Sequence, residues 1–267
     1  MNMLAIIQAR MGSTRLPGKV LLPLGDKTIL EHVVARVGQS ARISGLVVAT
    51  TVGKEDLAIV KLCAGMGVSV YCGAEDDVLD RFYQAARLFK ADHIVRVTAD
   101  CPLLDPEVLD AVIALHREEA GDYTTNTLKA TFPDGLDVEV MTWNALKTAW
   151  EQAGLASERE HVTPYIRKHP ERFTLSNLEC PQDLGAKRWT VDTAEDYEFV
   201  RIIYQQLAAR RGRFGMADVL EFLSRNRHLE SMSHHLERNE GYAKSLREDR
   251  ELDTDPWRGN RPGGKST

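Results

Sequence analysis

Three cationic side chains, two glycines and two hydroxyls crowd into residues 8–19, QARMGSTRLPGK. Glycine lets a backbone come close to an anion and turn its N–H groups toward it. Arg10 and Arg15 carry planar forks that match phosphate oxygens, and Lys19 adds a point charge. Ser13 and Thr14 add hydroxyl donors, while Ala9 and Gly12 keep the backbone accessible. This is chemistry for holding a triphosphate. It is not a Walker loop, because Val20 follows Lys19 where a Ser or Thr is needed and Pro17 removes a donor. The GxGxxG dinucleotide fingerprint is also absent.

Transfer from a triphosphate asks for a divalent cation, and magnesium prefers one or two carboxylates plus substrate oxygens. Asp100 follows an apolar run at 93–97, and Pro102 enforces an extended or turn conformation just after it. Asp192 follows a second strand-like run, 188–191, and precedes Thr193-Ala194-Glu195-Asp196, a capping box. In PDGLDVEV, Asp137 and Glu139 are spaced to share one strand face and could hold acceptor hydroxyls; a plain turn at 133–135 is the competing reading. In VLDRF, Arg81 either pairs with Asp80 on a helix or reaches a nucleotide. His161 and Tyr165, in EREHVTPYI, are spaced for one helical face if Pro164 falls in the first turn.

The elements that must position these groups are legible as alternating patterns. Strands are expected over 3–8, 46–50, 68–71 and 93–97, with amphipathic helices starting near Ile29, Leu57 and Val78. Short apolar strands alternating with helices predict a parallel sheet wrapped by helices, with ligands at the carboxyl ends of the strands. The loops after Gln8, Thr50 and Val97 fall there. Past residue 120 the rhythm changes to strands over 123–127, 138–141 and 172–178 and helices over 144–152 and 159–167. A long helix follows the capping box, and another spans 217–225. One domain over 1–228 is expected, with a C-terminal extension over 229–267 whose Pro- and Gly-rich tail from 253 is mobile.

Hydrophobic residues are 43% of the 267, enough to bury a sizeable core. Net charge is -5 with no long basic run, so an extended nucleic-acid partner is disfavoured and positive charge must be concentrated locally. No apolar stretch is long enough to span a membrane. Cys63, Cys72, Cys101 and Cys180 lack metal-site spacing, and scattered thiols without a signal peptide predict a cytoplasmic location.

QARMGSTRLPGKVL followed by ILEHVVARV resembles the opening of the cytidylyltransferases that make CMP-activated sugar acids. More narrowly, the chain resembles their spore-coat-polysaccharide-type branch, grouped with acylneuraminate cytidylyltransferases. The resemblance continues in order through VVATT, VLDRF, RVTADCPLLDP, PDGLDVEV, EREHVTPYI, RWTVDTAEDYEFV and RNEGYAKSLRED. It implies an α/β fold, a Rossmann-like nucleotidyltransferase (GT-A-like) with a mixed, mostly parallel sheet flanked by helices. It also implies Mg2+, CTP as donor, a small acidic acceptor and a homodimer. By resemblance, Asp100 and Asp192 ligate magnesium, Arg81 lies near nucleotide or acceptor, and His161 and Tyr165 lie near the acceptor pocket and the dimer contact. Arg10, Arg15 and Lys19 would then neutralise the leaving pyrophosphate.

CPLLDP after Asp100 departs from the best-known sugar-acid pattern and leaves the acceptor open to a phosphonate, a sugar phosphate or another hydroxylated metabolite. A glycosyltransferase on a similar fold would carry a DxD triplet, which is missing around Asp100. A nucleotide-binding regulator would need no second metal ligand.

Overall fold

The structure is a computed structural model that describes residues 1–211, 213–232, 238 and 240–252. The tail expected to be mobile from residue 253 lies outside the described residues.

The run MLAIIQ forms β1 (Met3–Gln8), buried from Met3 to Ile7. Successive side chains of a strand point to opposite faces. Met3, Ala5 and Ile7 therefore enter one core, and Leu4 and Ile6 the other. A strand buried on both faces belongs at the centre of a helix-covered sheet. After a hairpin of β2 (Pro23–Leu24) and β3 (Lys27–Thr28) come α1 (Ile29–Val37), β4 (Gly45–Thr51), α2 (Leu57–Met66), β5 (Ser69–Gly73), α3 (Val78–Leu88) and β6 (His93–Thr98). The second half adds α4 (Pro106–Glu119), β7 (Tyr123–Thr125), β8 (Glu139–Thr142), α5 (Trp143–Gln152), α6 (Ala156–His161), α7 (Pro164–Lys168) and β9 (Leu175–Asn177). Then follow α8 (Ala194–Arg211), α9 (Met216–Arg225) and α10 (Glu240–Arg247).

The seven-stranded sheet has the order β5-β4-β1-β6-β8-β7-β9. Pairing is parallel from β5 through β6, β8 is antiparallel to β6 and β7, and β9 is parallel to β7. This is the mixed, mostly parallel sheet that was expected. The chain leaves β1 for β4 and β5, then returns to the other side of β1 as β6. Such a reversal opens a crevice at the strands' carboxyl ends, where open α/β sheets bind ligands. A third core joins α8 and α9 to Leu24, Ile29 and Trp189.

Two expectations need correction. Residues 159–167 are not one helix: α6 ends at His161, Val162 takes a positive φ of 72°, and Pro164 opens α7. Pro164 has no N–H to carry the hydrogen-bond ladder of α6 onward, and the chain turns at Val162 before α7 begins. Residues 188–191 are not a strand of the sheet; they form only a bridge between Arg188 and Asp134. Helix α2 is present, but it buries Ile59 and Cys63, whereas Leu57 is exposed. The capping box at the start of α8 forms in both directions, Asp196 N to Thr193 Oγ1 at 3.3 Å and Thr193 N to Asp196 Oδ2 at 3.1 Å. Among the described residues no helix is long and apolar enough to cross a membrane.

Candidate active site

The loop after β1 is built as an anion cradle. Met11 O accepts from both Ser13 N at 2.9 Å and Gly18 N at 3.0 Å, which folds the loop back on itself, and Gly18 closes it at φ 68°. Asp56, buried after β4, accepts from Met11 N at 2.7 Å and also bonds Thr51, pinning the loop to the neighbouring strand. Among the described residues the N–H groups of Gly12, Thr14 and Arg15 find no protein acceptor. They stay available to an anion. Arg10 is exposed, Ala9 is buried against the sheet, and Ser13 and Thr14 line the turn.

Lys19 stands apart from its loop. Its ammonium is buried and donates to Asp100 Oδ2 at 2.6 Å, Asp192 Oδ1 at 2.7 Å and Val191 O at 2.9 Å. The two candidate metal ligands therefore converge on one point, and in this structure a lysine cation fills it. Val191 N donates to Asp100 O at 2.8 Å, stitching the loop after β6 to the segment before α8. Burial pulls the Lys19 ammonium down, but Asp100 and Asp192 outweigh it and hold it above the usual lysine value. Burial also pushes the Asp100 carboxyl up, yet Lys19 wins and holds it down to about 2. Both aspartates keep some exposure, 24% and 22% of the side chain. Two ionised hard-oxygen ligands, facing one cation and open to solvent, fit the donor chemistry of magnesium.

Asp192 is held by more than Lys19. Its Oδ2 accepts from Arg188 at 2.7 Å and faces Arg15 at 3.2 Å. Arg188 also grips Asp196 at 3.0 Å and Asp134 at 2.9 Å, tying the capping box to the PDGLDVEV turn. Gly135 in that turn has φ 106°, and a side chain there would meet the Trp189 backbone at 2.7 Å. Neither Arg188 nor Asp196 emerged from the sequence as a site residue. The signal was available, since RWTVDTAED places Arg188 four residues before Asp192 and, in an extended run, on the same side of the chain.

Arg81 is fully buried on α3 rather than paired with Asp80, which instead accepts from Trp150 Nε1 at 2.8 Å. Its Nη1 donates to Ala74 O at 3.0 Å, while Nε and Nη2 are buried without partners. Burial and the nearby Arg10 lower its guanidinium to about 10, against the pull of Asp56, Asp77 and Glu75. A buried guanidinium with unpaired nitrogens calls for an acceptor. Arg81 has no exposed surface, so the structure does not present these nitrogens to a nucleotide.

Beside the carboxylates opens a cavity of about 260 Å3, lined in part by Arg15, Asp100, Asp137, Glu139, His161 and Asp192. Burial, with Asp134 and Glu139 beside it, pushes the Asp137 carboxyl up to about 7 despite its ion pair with Arg238. Glu139 lines the wall with its oxygens committed: Tyr123 OH donates at 2.5 Å, Thr163 Oγ1 at 2.6 Å, and Arg96 pairs with the other oxygen. Burial, reinforced by Arg96 and Arg167, lowers His161 to about 4, so it is neutral at pH 7. Tyr165 does not join His161 at the cavity. The break at Val162 turns it into the core against His169, where its hydroxyl accepts from Arg172. Among the described residues, no group of three or more His, Cys, Asp or Glu could hold a metal, so the candidate metal site is the aspartate pair.

Comparison with known proteins agrees with this architecture. The spore coat polysaccharide biosynthesis protein SpsF of Bacillus subtilis is 40% identical over 232 residues, covering 84% of this chain and 95% of that protein. A 3-deoxy-manno-octulosonate cytidylyltransferase of Solibacter usitatus is 32% identical over 179 residues, covering 62% of this chain and 68% of that protein. The solved structure of a cytidylyltransferase from Leptospira borgpetersenii superposes with a TM-score of 0.81 at 36% identity, covering 86% of this chain and 97% of that one. The sequence profile described as cytidylyltransferase matches residues 4–238. The chain belongs to the cytidylyltransferase family.

Proposed function

We propose that this protein transfers CMP from CTP to a sugar acid of the nonulosonate or 3-deoxy-manno-octulosonate kind, releasing pyrophosphate. The observation that carries the reading is the convergence of Asp100 and Asp192 beside the anion cradle, at 2.6 and 2.7 Å from one buried cation. A protein that merely bound a nucleotide would need the cradle alone. The acceptor class is supported by the relative that is a 3-deoxy-manno-octulosonate cytidylyltransferase.

An acceptor oxygen attacks the α-phosphorus of CTP in line. The new P–O bond forms as the bond from the α-phosphorus to the bridging oxygen breaks, pyrophosphate departs, and the acceptor proton passes to solvent. The free N–H groups of Gly12, Thr14 and Arg15, with the Arg10 and Arg15 side chains, hold and neutralise the triphosphate. Lys19, expected to share that task, has its three donors committed to Asp100, Asp192 and Val191 O. Arg81, fully buried on α3, adds fixed positive charge behind Arg10. Asp100 and Asp192 would hold magnesium, which supplies positive charge to phosphate oxygens and lowers the pKa of an adjacent hydroxyl. Asp137 and His161 face the acceptor across the cavity.

The test is pyrophosphate release with each of the four nucleoside triphosphates against a panel of sugar acids and phosphonates, with and without magnesium. CTP with a sugar acid should be the active pair, and Asp100→Ala should abolish its turnover. Release with phosphonates only would move the acceptor assignment, and no release with any pair would overturn the reading. The homodimer is proposed with it; sedimentation equilibrium showing a monomer at micromolar concentration would refute that part.

A further inference from the structure

The charges around the acceptor cavity are paired, with one exception. Arg188 serves Asp134 and Asp192, Arg96 serves Glu139, Arg238 serves Asp137, and Arg15 serves Asp192 and Glu240. Arg167, in the last turn of α7, lines the same cavity. Among the described residues its guanidinium has no ion-pair partner and no hydrogen-bond acceptor, and its Nε is buried and unpaired. Glu139 feels the charge of Arg167, but Tyr123, Thr163 and Arg96 occupy its oxygens. A cavity-lining guanidinium with one buried, unpaired nitrogen and no anion in hydrogen-bond contact is open to one.

The side chain is also held in a definite pose. Its Cζ lies 5.5 Å from the centroid of the Tyr242 ring, a cation–π contact that fixes the plane of the fork. Tyr242 belongs to the C-terminal arm and packs edge-on against His161 at 5.0 Å. Further along the arm, Ser245 Oγ lies 2.9 Å from His161 Nε2, and Asp249 accepts from Ser157 N and Oγ at 2.9 and 2.7 Å. Leu252 N closes the strap on Gly154 O at 2.7 Å.

We propose that Arg167 receives the carboxylate of the acceptor as a bidentate fork, and that Tyr242 is the positioning residue that aims it. The inference deepens the sugar-acid reading above and rests on it. A planar guanidinium matches a carboxylate in a way an ammonium does not. The other fixed charges of the cavity are internally compensated, so the acid group of the substrate supplies the missing partner. Residues 240–252 thereby become part of the acceptor site rather than an appendage.

The test compares wild type, Arg167→Ala, Arg167→Lys, Tyr242→Ala, Tyr242→Phe and the double variant Arg167→Ala/Tyr242→Ala in steady-state pyrophosphate release, using a sugar acid and its carboxamide. Arg167→Ala should raise the acceptor KM by about 10- to 100-fold, the size of one lost charge-assisted contact, and leave CTP Kd by calorimetry within about twofold. Arg167→Lys should recover only part of that loss. Tyr242→Phe should match wild type, and Tyr242→Ala should raise acceptor KM but add little on top of Arg167→Ala. The carboxamide should be a poor substrate for wild type and no worse for Arg167→Ala. An acceptor KM within about threefold of wild type in both Arg167 variants would overturn the proposal while leaving the sugar-acid reading intact. A wild type that turns over no sugar acid fails at the earlier step and overturns both.

Discussion

At the residue scale the decisive group is Lys19, because one ammonium satisfies two carboxylates that would otherwise repel. Replacing it with methionine leaves Asp100 and Asp192 facing each other with no cation between them. Breaking a buried pair by deleting one partner costs roughly 3–5 kcal/mol, and the partial exposure of the aspartates points to the lower end. Lys19→Met should therefore lower Tm, and millimolar magnesium should recover part of the loss because the freed carboxylates can take a divalent ion. The same magnesium should not raise the Tm of Lys19→Met/Asp100→Asn; equal recovery in both would remove Asp100 as a ligand. The acid limb has a definite sign. Asp100 has a folded pKa near 2 against an ordinary 3.8, so its contribution is fully present above about pH 4 and is lost as pH falls through 2. Urea midpoints between pH 5 and 2 should fall more steeply in wild type than in Lys19→Met.

At the element scale the first-strand loop and the C-terminal arm meet in one exposed contact, Arg15 Nη1 to Glu240 Oε2 at 2.5 Å. Arg15 is thus shared between two carboxylates before any triphosphate arrives. Exposed pairs of this kind contribute about 0.2–1 kcal/mol. Glu240→Gln should release that competition and tighten CTP binding by up to about fivefold in calorimetry; weaker binding would show that Glu240 organises Arg15 for phosphate instead. The loop was legible in the sequence because strand, glycines and cations are contiguous there. Asp100 and Asp192 stood out because each sits in a motif shared with the sugar-acid cytidylyltransferases, although the run before Asp192 is no strand of the sheet. The break between α6 and α7 was harder to place, since it depends on one positive φ at Val162, a β-branched residue with no sequence signal for that conformation. For the same reason Tyr165 was assigned to the wrong side. Arg167 escaped notice because its meaning lies in an absence of partners, which only the packed structure can show. Helix α10 carries no long apolar stripe, and what gives it a role is its contact with α6 across the intervening chain.

At the scale of the whole molecule, the two cores on either face of the sheet depend on a buried histidine as well as on apolar packing. His116 of α4 is buried, with Nδ1 3.0 Å from Thr124 Oγ1 on β7 and Nε2 2.8 Å from His93 Nδ1 at the start of β6. It joins a helix to two strands of the central sheet. Burial, with His93 alongside, lowers His116 to about 4, and burial lowers His93 as well. A histidine held neutral in the folded state takes a proton more readily once unfolded. Stability should therefore decline as pH falls from about 6.5, the ordinary histidine value, toward 4, before most carboxylates titrate. A shift of this size corresponds to at most about 3 kcal/mol across that window. Urea unfolding at closely spaced pH values should show the slope in wild type and a flatter profile in His116→Asn, whatever that substitution costs at pH 7. His161 is lowered to a similar value and adds a slope of the same sign over the same window. Profiles of equal slope for wild type and His116→Asn would mean that the acid sensitivity arises elsewhere in the molecule.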